Sequence, residues 1–191
     1  MIKIILIITA LFYANIYSQD IDGKPIKINK NFFNENGNLK NQKDLSVYVI
    51  RKIRFTDNSS YEMVILKNNY WYYYCLFEIE KNNKYKYVGT VALKSFNSNI
   101  EGLIGNIVYK DNYFTIEHSF MGSTKIYITF KYNDNKKIYL DKASMIVEFI
   151  NNLYDNKKLT KQVDGNVTPN KILYKDTSAD MISKLLNINI T

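Results

Sequence analysis

The single histidine and the single cysteine limit the chemistry that this chain can perform. A Ser-His-Asp or Cys-His arrangement would need His118 as its base, because the 191 residues contain no second imidazole. His118 lies between Ile116 and Phe120 on the apolar side of a predicted strand, which favours a packed, hydrogen-bonded imidazole over a catalytic one. The same counts exclude multi-histidine and multi-cysteine metal sites. We therefore predict no catalytic residue, no metal and no cofactor.

Cys75 and three glutamates are the remaining candidates for reactive groups. Cys75 lies in an apolar run with no cation nearby in sequence, which predicts a buried thiol of ordinary reactivity. Glu78 and Glu80 lie on one side of their strand, about 7 Å apart given the rise per residue. Glycosidases use carboxylate pairs at such separations, so a hydrolase that uses Glu78 or Glu117 is an alternative hypothesis.

Tyrosine is the most unusual feature of the composition, with 17 residues. Four of them surround Trp71 in the run 70–74. Coding bias together with β-propensity is one explanation. The other is an exposed aromatic face, because tyrosine offers a large contact area at low entropic cost. On that hypothesis the candidate binding residues are Tyr70, Tyr72 and Tyr74, with a protein or a polysaccharide at the cell surface as partner.

The charge of the chain does not predict a nucleic-acid partner. The formal net charge is +8, but only Arg51 and Arg54 among the 26 basic residues carry the guanidinium fork that reads phosphates and guanine edges. The lysines are spread along the chain and interleaved with asparagine. This distribution is compatible with weak, salt-sensitive attraction to anionic cell surfaces.

The first residues have the layout of a secretory signal peptide. Lys3 precedes an apolar run from Ile4 to about Tyr13, and small or polar residues follow up to Ser18. That run is shorter than the roughly 20 residues of a transmembrane helix. We predict a signal peptide at 1–18, a secreted or periplasmic protein without a transmembrane span after cleavage, a polar leader at 19–44 and one β-rich domain at 45–191.

Hydrophobic periodicity predicts a mainly β domain with two antiparallel meanders. The turns between strands contain Asn, Asp and Gly, which tolerate left-handed backbone conformations. The sequence leaves a sandwich and a barrel open. The predicted strands are Leu45–Phe55, Tyr61–Lys67, Tyr70–Glu80 and Lys84–Lys94, then Asn106–Lys110, Tyr113–Phe120, Thr124–Tyr132 and Lys136–Lys142, with one more short edge strand in the leader near Ile26–Phe33.

Alternation predicts which strand faces meet the core. Thr124–Tyr132 and Tyr113–Phe120 alternate apolar and polar residues, which is typical of strands with one solvated face. Tyr70–Glu80 is apolar or aromatic on both sides, so we expect it to be central or covered by another element.

The last 50 residues give weaker signals. Met145–Leu153 fits either a helix or a continuation of the last strand, and Lys157–Asn170 is predicted to be a surface excursion. The spacing of Thr177 and Asp180 fits a capping box, and the apolar stripe that follows predicts a short C-terminal helix over Ser178–Asn187.

Four short motifs fall between Asn106 and Lys142. They are Tyr113-Phe114-Thr115-Ile116-Glu117, Gly122-Ser123, Tyr127-Ile128-Thr129-Phe130-Lys131-Tyr132 and Ile138-Tyr139-Leu140. This segment resembles the closing part of a group of uncharacterised bacterial secreted proteins, whose members resemble FG-GAP or VCBS β-hairpin repeats. Members often carry an Asp-rich loop upstream, whereas the corresponding place here, 56–60, holds only Asp57. The resemblance therefore implies no calcium site, and it implies no known reaction.

Taken together, the sequence predicts a secreted or periplasmic binding module without enzymatic activity, which uses an aromatic-rich sheet face. The alternatives are the carboxylate-dependent hydrolase and a small barrel that carries an apolar ligand.

Overall fold

The computed structural model of the chain describes residues 25–68, 71–94, 106–121, 124–150, 158–169 and 171–187. Within these residues nine β-strands and one α-helix form, which confirms a mainly β protein with a short C-terminal helix. The strands are β1 (Ser46–Arg54), β2 (Ser60–Asn68), β3 (Trp71–Ile79), β4 (Tyr85–Lys94), β5 (Asn106–Lys110), β6 (Tyr113–Met121), β7 (Thr124–Tyr132), β8 (Ile138–Ile150) and β9 (Lys158–Asn166).

The strands form two antiparallel meanders. The first sheet has the order β1-β2-β3-β4 and the second β5-β6-β7-β8-β9, so every strand pairs with its neighbour in sequence. The two sheets do not close into one barrel, and their inner faces share a single apolar core. The structure thus resolves the choice that the sequence left open in favour of a sandwich.

The hairpin turns contain the residues that the sequence indicates. Asn58, Asn83 and Asp111 have φ values of +64°, +58° and +54°, a left-handed conformation that asparagine and aspartate tolerate better than most residues. In the β7–β8 turn the left-handed residue is Lys136 (φ +58°), which is the first residue of the predicted strand Lys136–Lys142.

Aromatic rings fill the core between the sheets. The ring of Phe55 stacks on Tyr132 with 4.3 Å between centroids, and Phe114 stacks on Phe130 at 5.1 Å. The Tyr132 hydroxyl donates to a carboxylate oxygen of Asp57 at 2.8 Å, which ties the β1–β2 turn to the second sheet. Such ring pairs add stabilisation beyond the burial of their area.

The leader covers β2 and β3 on the outer side of the first sheet. The edge strand predicted near Ile26–Phe33 is wrong, because a 3-10 helix at Lys30–Phe32 and an isolated bridge between Phe33 and Leu39 occupy this segment. Phe33 packs edge-on against Phe77 of β3, with 4.8 Å between ring centroids. A second apolar cluster therefore lies between the leader and the sheet.

The segment after β7 is more regular than predicted. β8 continues as a strand to Ile150, which decides the choice left open at Met145–Leu153 for its described part. The surface excursion predicted at Lys157–Asn170 is also wrong for most of its length, because β9 pairs with β8 in continuous register. Pairing with an otherwise open strand edge outweighs the low β-propensity of Asp164 and Gly165.

The C-terminal helix α1 spans Ala179–Leu186, close to its predicted position. Its N-cap is Ser178, whose side chain accepts from the Met181 N–H at 3.2 Å. The predicted cap, Thr177, instead donates its hydroxyl to the Leu173 carbonyl at 3.2 Å, so the capping-box prediction is wrong. Just upstream, the buried Tyr174 hydroxyl donates to the Tyr74 carbonyl at 2.6 Å and fixes the segment to the core.

No helix in the described ranges has the length and apolarity needed to cross a bilayer. The predicted signal peptide at 1–18 and the first part of the leader lie outside the described residues.

Candidate functional site

Two of the three tyrosines predicted to form an exposed aromatic face, Tyr72 and Tyr74, are core residues of β3. Tyr72 is 3% exposed and Tyr74 is fully buried, and both face the space between the sheets. Tyr70 lies outside the described residues. The alternate residues Trp71 and Tyr73 face the leader and are also buried. The prediction that Tyr72 and Tyr74 offer an exposed face is wrong. The prediction that this strand is central or covered by another element is confirmed, because β3 lies between β2 and β4 and is buried on both sides.

His118 is a packed residue with both ring nitrogens hydrogen-bonded. Its Nδ1 lies 2.8 Å from the Tyr74 hydroxyl, and its Nε2 lies 2.9 Å from the Lys94 carbonyl. The side chain is completely buried, and this burial lowers the pKa of His118 to about 4. The carbonyl contact requires a proton on Nε2, so Nδ1 accepts from Tyr74. The imidazole is a neutral bridge between β3, β4 and β6.

Cys75 is equally enclosed. Burial raises the pKa of its thiol to about 12, and the Thr90 hydroxyl donates to Sγ at 3.2 Å. The thiol is therefore protonated at neutral pH, and the prediction that it is buried is confirmed.

Two of the carboxylates considered for hydrolysis, Glu78 and Glu117, lie on different sheets, and each forms an ion pair with a lysine. Glu78 in β3 pairs with Lys86 at 3.0 Å, and Glu117 in β6 pairs with Lys125 at 2.8 Å. Burial alone would raise the pKa of Glu117, but hydrogen bonds from Lys125 and Asn106 outweigh it and lower that pKa. A general acid needs a raised pKa, so the environment of Glu117 is that of an ion pair. Nor do any three His, Cys, Asp or Glu side chains of the described ranges converge as metal ligands would.

The outer side of the second sheet carries a solvent-facing group of aromatic residues. Register places Tyr113 of β6 opposite Lys131 of β7, and Lys131 opposite Tyr139 of β8. Tyr127 of β7 lies on the same side, between Glu117 and Ser144. We call this surface the tyrosine face and define it by Tyr113, Tyr127 and Tyr139. Tyr113 is 36% exposed, and Tyr127 and Tyr139 are partly exposed.

Polar side chains lie between these rings. The Thr115 and Thr129 hydroxyls are hydrogen-bonded at 2.9 Å, and the Lys131 ammonium lies 5.4 Å from the centroid of the Tyr113 ring. The sequence did not single out this surface, because the dense tyrosine run at 70–74 predicts a different candidate binding face. Alternation could have identified it, since it places Tyr113 and Tyr127 on the side of their strands that faces away from the core.

A cavity of about 790 Å³ lies elsewhere, on the outer side of β4 between the leader and the start of α1. Its walls include Ile26, Ile28, Trp71, Ala92, Lys94 and Ala179. Gly89 makes the approach of the C-terminal segment to β4 possible, because a Cβ there would lie 2.7 Å from the Lys175 Cα.

Comparisons of the chain with protein-family models, with curated proteins and with solved structures give no match. The resemblance to exported proteins with β-hairpin repeats consequently stays a prediction. The assignment of function rests on the geometry.

Proposed function

We propose that this protein is an exported binding module without enzymatic activity, and that it holds an extended polysaccharide on the tyrosine face. The observation that carries the proposal is the contrast between the two sheets. The leader covers the central strands β2 and β3 on the outer side of the first sheet, whereas the outer side of the second exposes aromatic rings among hydrogen-bonding groups. The 1–18 pattern supports export.

The arrangement of the rings suits a sugar chain. Tyr113 and Tyr139 are two strands apart, which corresponds to about 10 Å across the sheet, and Tyr127 lies about 13 Å along β7 from the level of Lys131. Rings at these separations provide several flat contact points for sugar rings. Thr115, Thr129 and Glu117 supply donors and acceptors for hydroxyl groups between them.

A glycan array tests the proposal. The wild-type chain is compared with the triple variant Tyr113→Ala/Tyr127→Ala/Tyr139→Ala, and we expect binding to the recognised polysaccharide to fall at least about tenfold, since stacked aromatic anchors carry most binding energy. The matched control is Val47→Ala/Ile50→Ala/Tyr109→Ala, which removes exposed apolar side chains from β1 and β5. Equal binding by the wild type and the tyrosine variant would refute the assigned face.

The cavity beside β4 favours a second candidate function, the carriage of a small apolar ligand. Its volume falls within the range of ligand sites, and Trp71, the chain's single tryptophan, lines it. Titration with a fatty acid would change Trp71 fluorescence in a carrier, and Ala92→Phe would abolish the change. Unchanged fluorescence, with only the unliganded mass in native mass spectrometry, would exclude this candidate.

A further inference from the structure

Strand β1 forms one edge of the first sheet. Among the described residues it pairs with β2 alone, so its other side presents backbone N–H and C=O groups without a strand partner. Val47 and Ile50 are each 47% exposed along this edge. An edge of this kind can accept an extended peptide as an additional strand.

Three cations lie on the second half of β1. Arg51, Lys52 and Arg54 are all exposed, and they include both arginines of the chain. In the part of the chain that the structure describes, none of the three forms an ion pair, and the Arg51 guanidinium donates only to the carbonyl of Ile50 at 3.2 Å. The nearest cross-strand acid, Glu62 opposite Lys52, is largely buried and accepts from the Tyr85 hydroxyl instead.

A recess of about 270 Å³ lies beside these cations. Its walls include Lys52, Arg54, Ser60, Ile79, Asn83 and Tyr85. Two positive charges at its border make it a suitable place for a carboxylate side chain that extends from an added strand.

The charges select the occupant of this edge. Two copies of β1 would bring six cations into one short ladder with no acid on either strand, which opposes self-pairing. An acidic strand would instead place carboxylates beside Lys52 and Arg54, which point to one side of the sheet, whereas Arg51 points to the other. We propose that β1 is a strand-addition site for an extended acidic peptide, whose backbone pairs with the edge and whose carboxylates face Lys52 and Arg54.

The experiment uses the full chain and an end-blocked octapeptide that alternates glutamate and threonine. We expect saturable binding and slower hydrogen exchange at alternate amides of β1. The variant Arg51→Gln/Lys52→Gln/Arg54→Gln should weaken binding about tenfold, because two exposed ion pairs, at Lys52 and Arg54, are lost together with the charge of Arg51. These side chains lie on the surface, so the variant should retain the wild-type unfolding midpoint. The hydrogen-exchange measurement is made on the wild type and therefore tests the proposal independently of the variant.

The matched control is Lys81→Gln/Lys84→Gln/Lys137→Gln, which removes the same charge from exposed turns. This control should bind the glutamate peptide as the wild type does, and a glutamine–threonine peptide should bind weakly to all three proteins. Three results would overturn the proposal: an equal loss in the control, binding without protection of β1 amides, or β1 protection that rises with protein concentration in the absence of peptide. The last result would identify a second copy as the occupant.

Discussion

The two sheets of this protein have similar topology but different outer sides. In the first sheet both sides of β3 are buried, one against the opposite sheet and one against the leader. In the second sheet β6 and β7 alternate between buried and solvent-facing residues. In this protein the dense tyrosine run belongs to a strand that is covered on both sides. The tyrosines that alternate with core residues, such as Tyr113 and Tyr127, are the ones that solvent reaches.

The leader is the structural cause of this difference. The Ile26 N–H donates to the Tyr73 hydroxyl at 3.0 Å, and the Tyr87 hydroxyl donates to the Ile28 carbonyl at 3.2 Å. These bonds satisfy the hydroxyl of the fully buried Tyr73 and tie the hydroxyl of the partly buried Tyr87 to the leader. The leader, although polar in overall composition, thereby contributes Ile28 and Phe33 to the apolar cluster on the outer side of the first sheet.

Truncation of Phe77 should give the largest effect. Phe77→Ala removes a ring that contacts Phe33 and Tyr87, and we expect a loss of about 3–5 kcal/mol in the free energy of unfolding. Tyr113→Ala on the tyrosine face should cost less than about 1 kcal/mol, since that ring is partly exposed. Urea denaturation of both variants gives the two values. Similar losses in the two variants would contradict the difference between the leader-covered side of the first sheet and the solvent-facing side of the second.

His118 should make stability depend on pH. Its lowered pKa means that the unfolded chain binds a proton at a higher pH than the folded chain does, so stability falls as the pH decreases from about 6.5 to about 4. A shift of this size corresponds to a loss of up to about 3 kcal/mol. His118→Gln should be less stable than the wild type at pH 7, and its deficit should shrink toward pH 4. If denaturation curves give the same difference in unfolding free energy between His118→Gln and the wild type at every pH, His118 is not a buried neutral imidazole.

Gly37 tests the contact between the leader and β4. Its φ is +74°, and an added Cβ would lie 2.6 Å from Cδ1 of Tyr85. Gly37→Ala should therefore destabilise the leader by about 1–2 kcal/mol through strain and displacement of the ring. Limited proteolysis should cut the leader faster, whereas Asn36→Ala, at an exposed neighbouring position, should leave the rate unchanged. Equal rates for both variants would show that the leader does not pack on Tyr85.

The ion pair on the tyrosine face should contribute least. Glu117→Gln removes the partner of Lys125, and we expect a loss of about 0.3–1 kcal/mol at pH 7. The pKa of Glu117 is lowered in the folded chain, so this contribution exists above the ordinary glutamate pKa and disappears as Glu117 is protonated at lower pH. Thermal unfolding at pH 7 and pH 3 measures the difference. An undiminished difference at pH 3 would contradict the ionic origin.

Local sequence patterns predicted the positions of most strands but not how the leader and the two sheets pack on one another. Asn58, Asn83 and Asp111 mark three turns because their conformational tolerance is a property of the residue itself. The cover over β3 depends on contacts between residues some 45 positions apart, such as Phe33 and Phe77, which no periodicity reveals. Alternation identified the burial of His118, because its strand has one apolar and one polar side. The strand of Tyr72 and Tyr74 is apolar or aromatic on both sides, so its pattern could not assign either face to the core or to solvent.

Nitration of tyrosines in the folded protein, mapped by mass spectrometry, tests the account most directly. We expect modification of Tyr109 and Tyr113, which are 51% and 36% exposed, and protection of Tyr73, whose ring lies beneath the leader. Nitration of Tyr73 at the rate of Tyr113, under conditions in which the protein stays folded, would show that the first sheet is open on its outer side and would contradict the account.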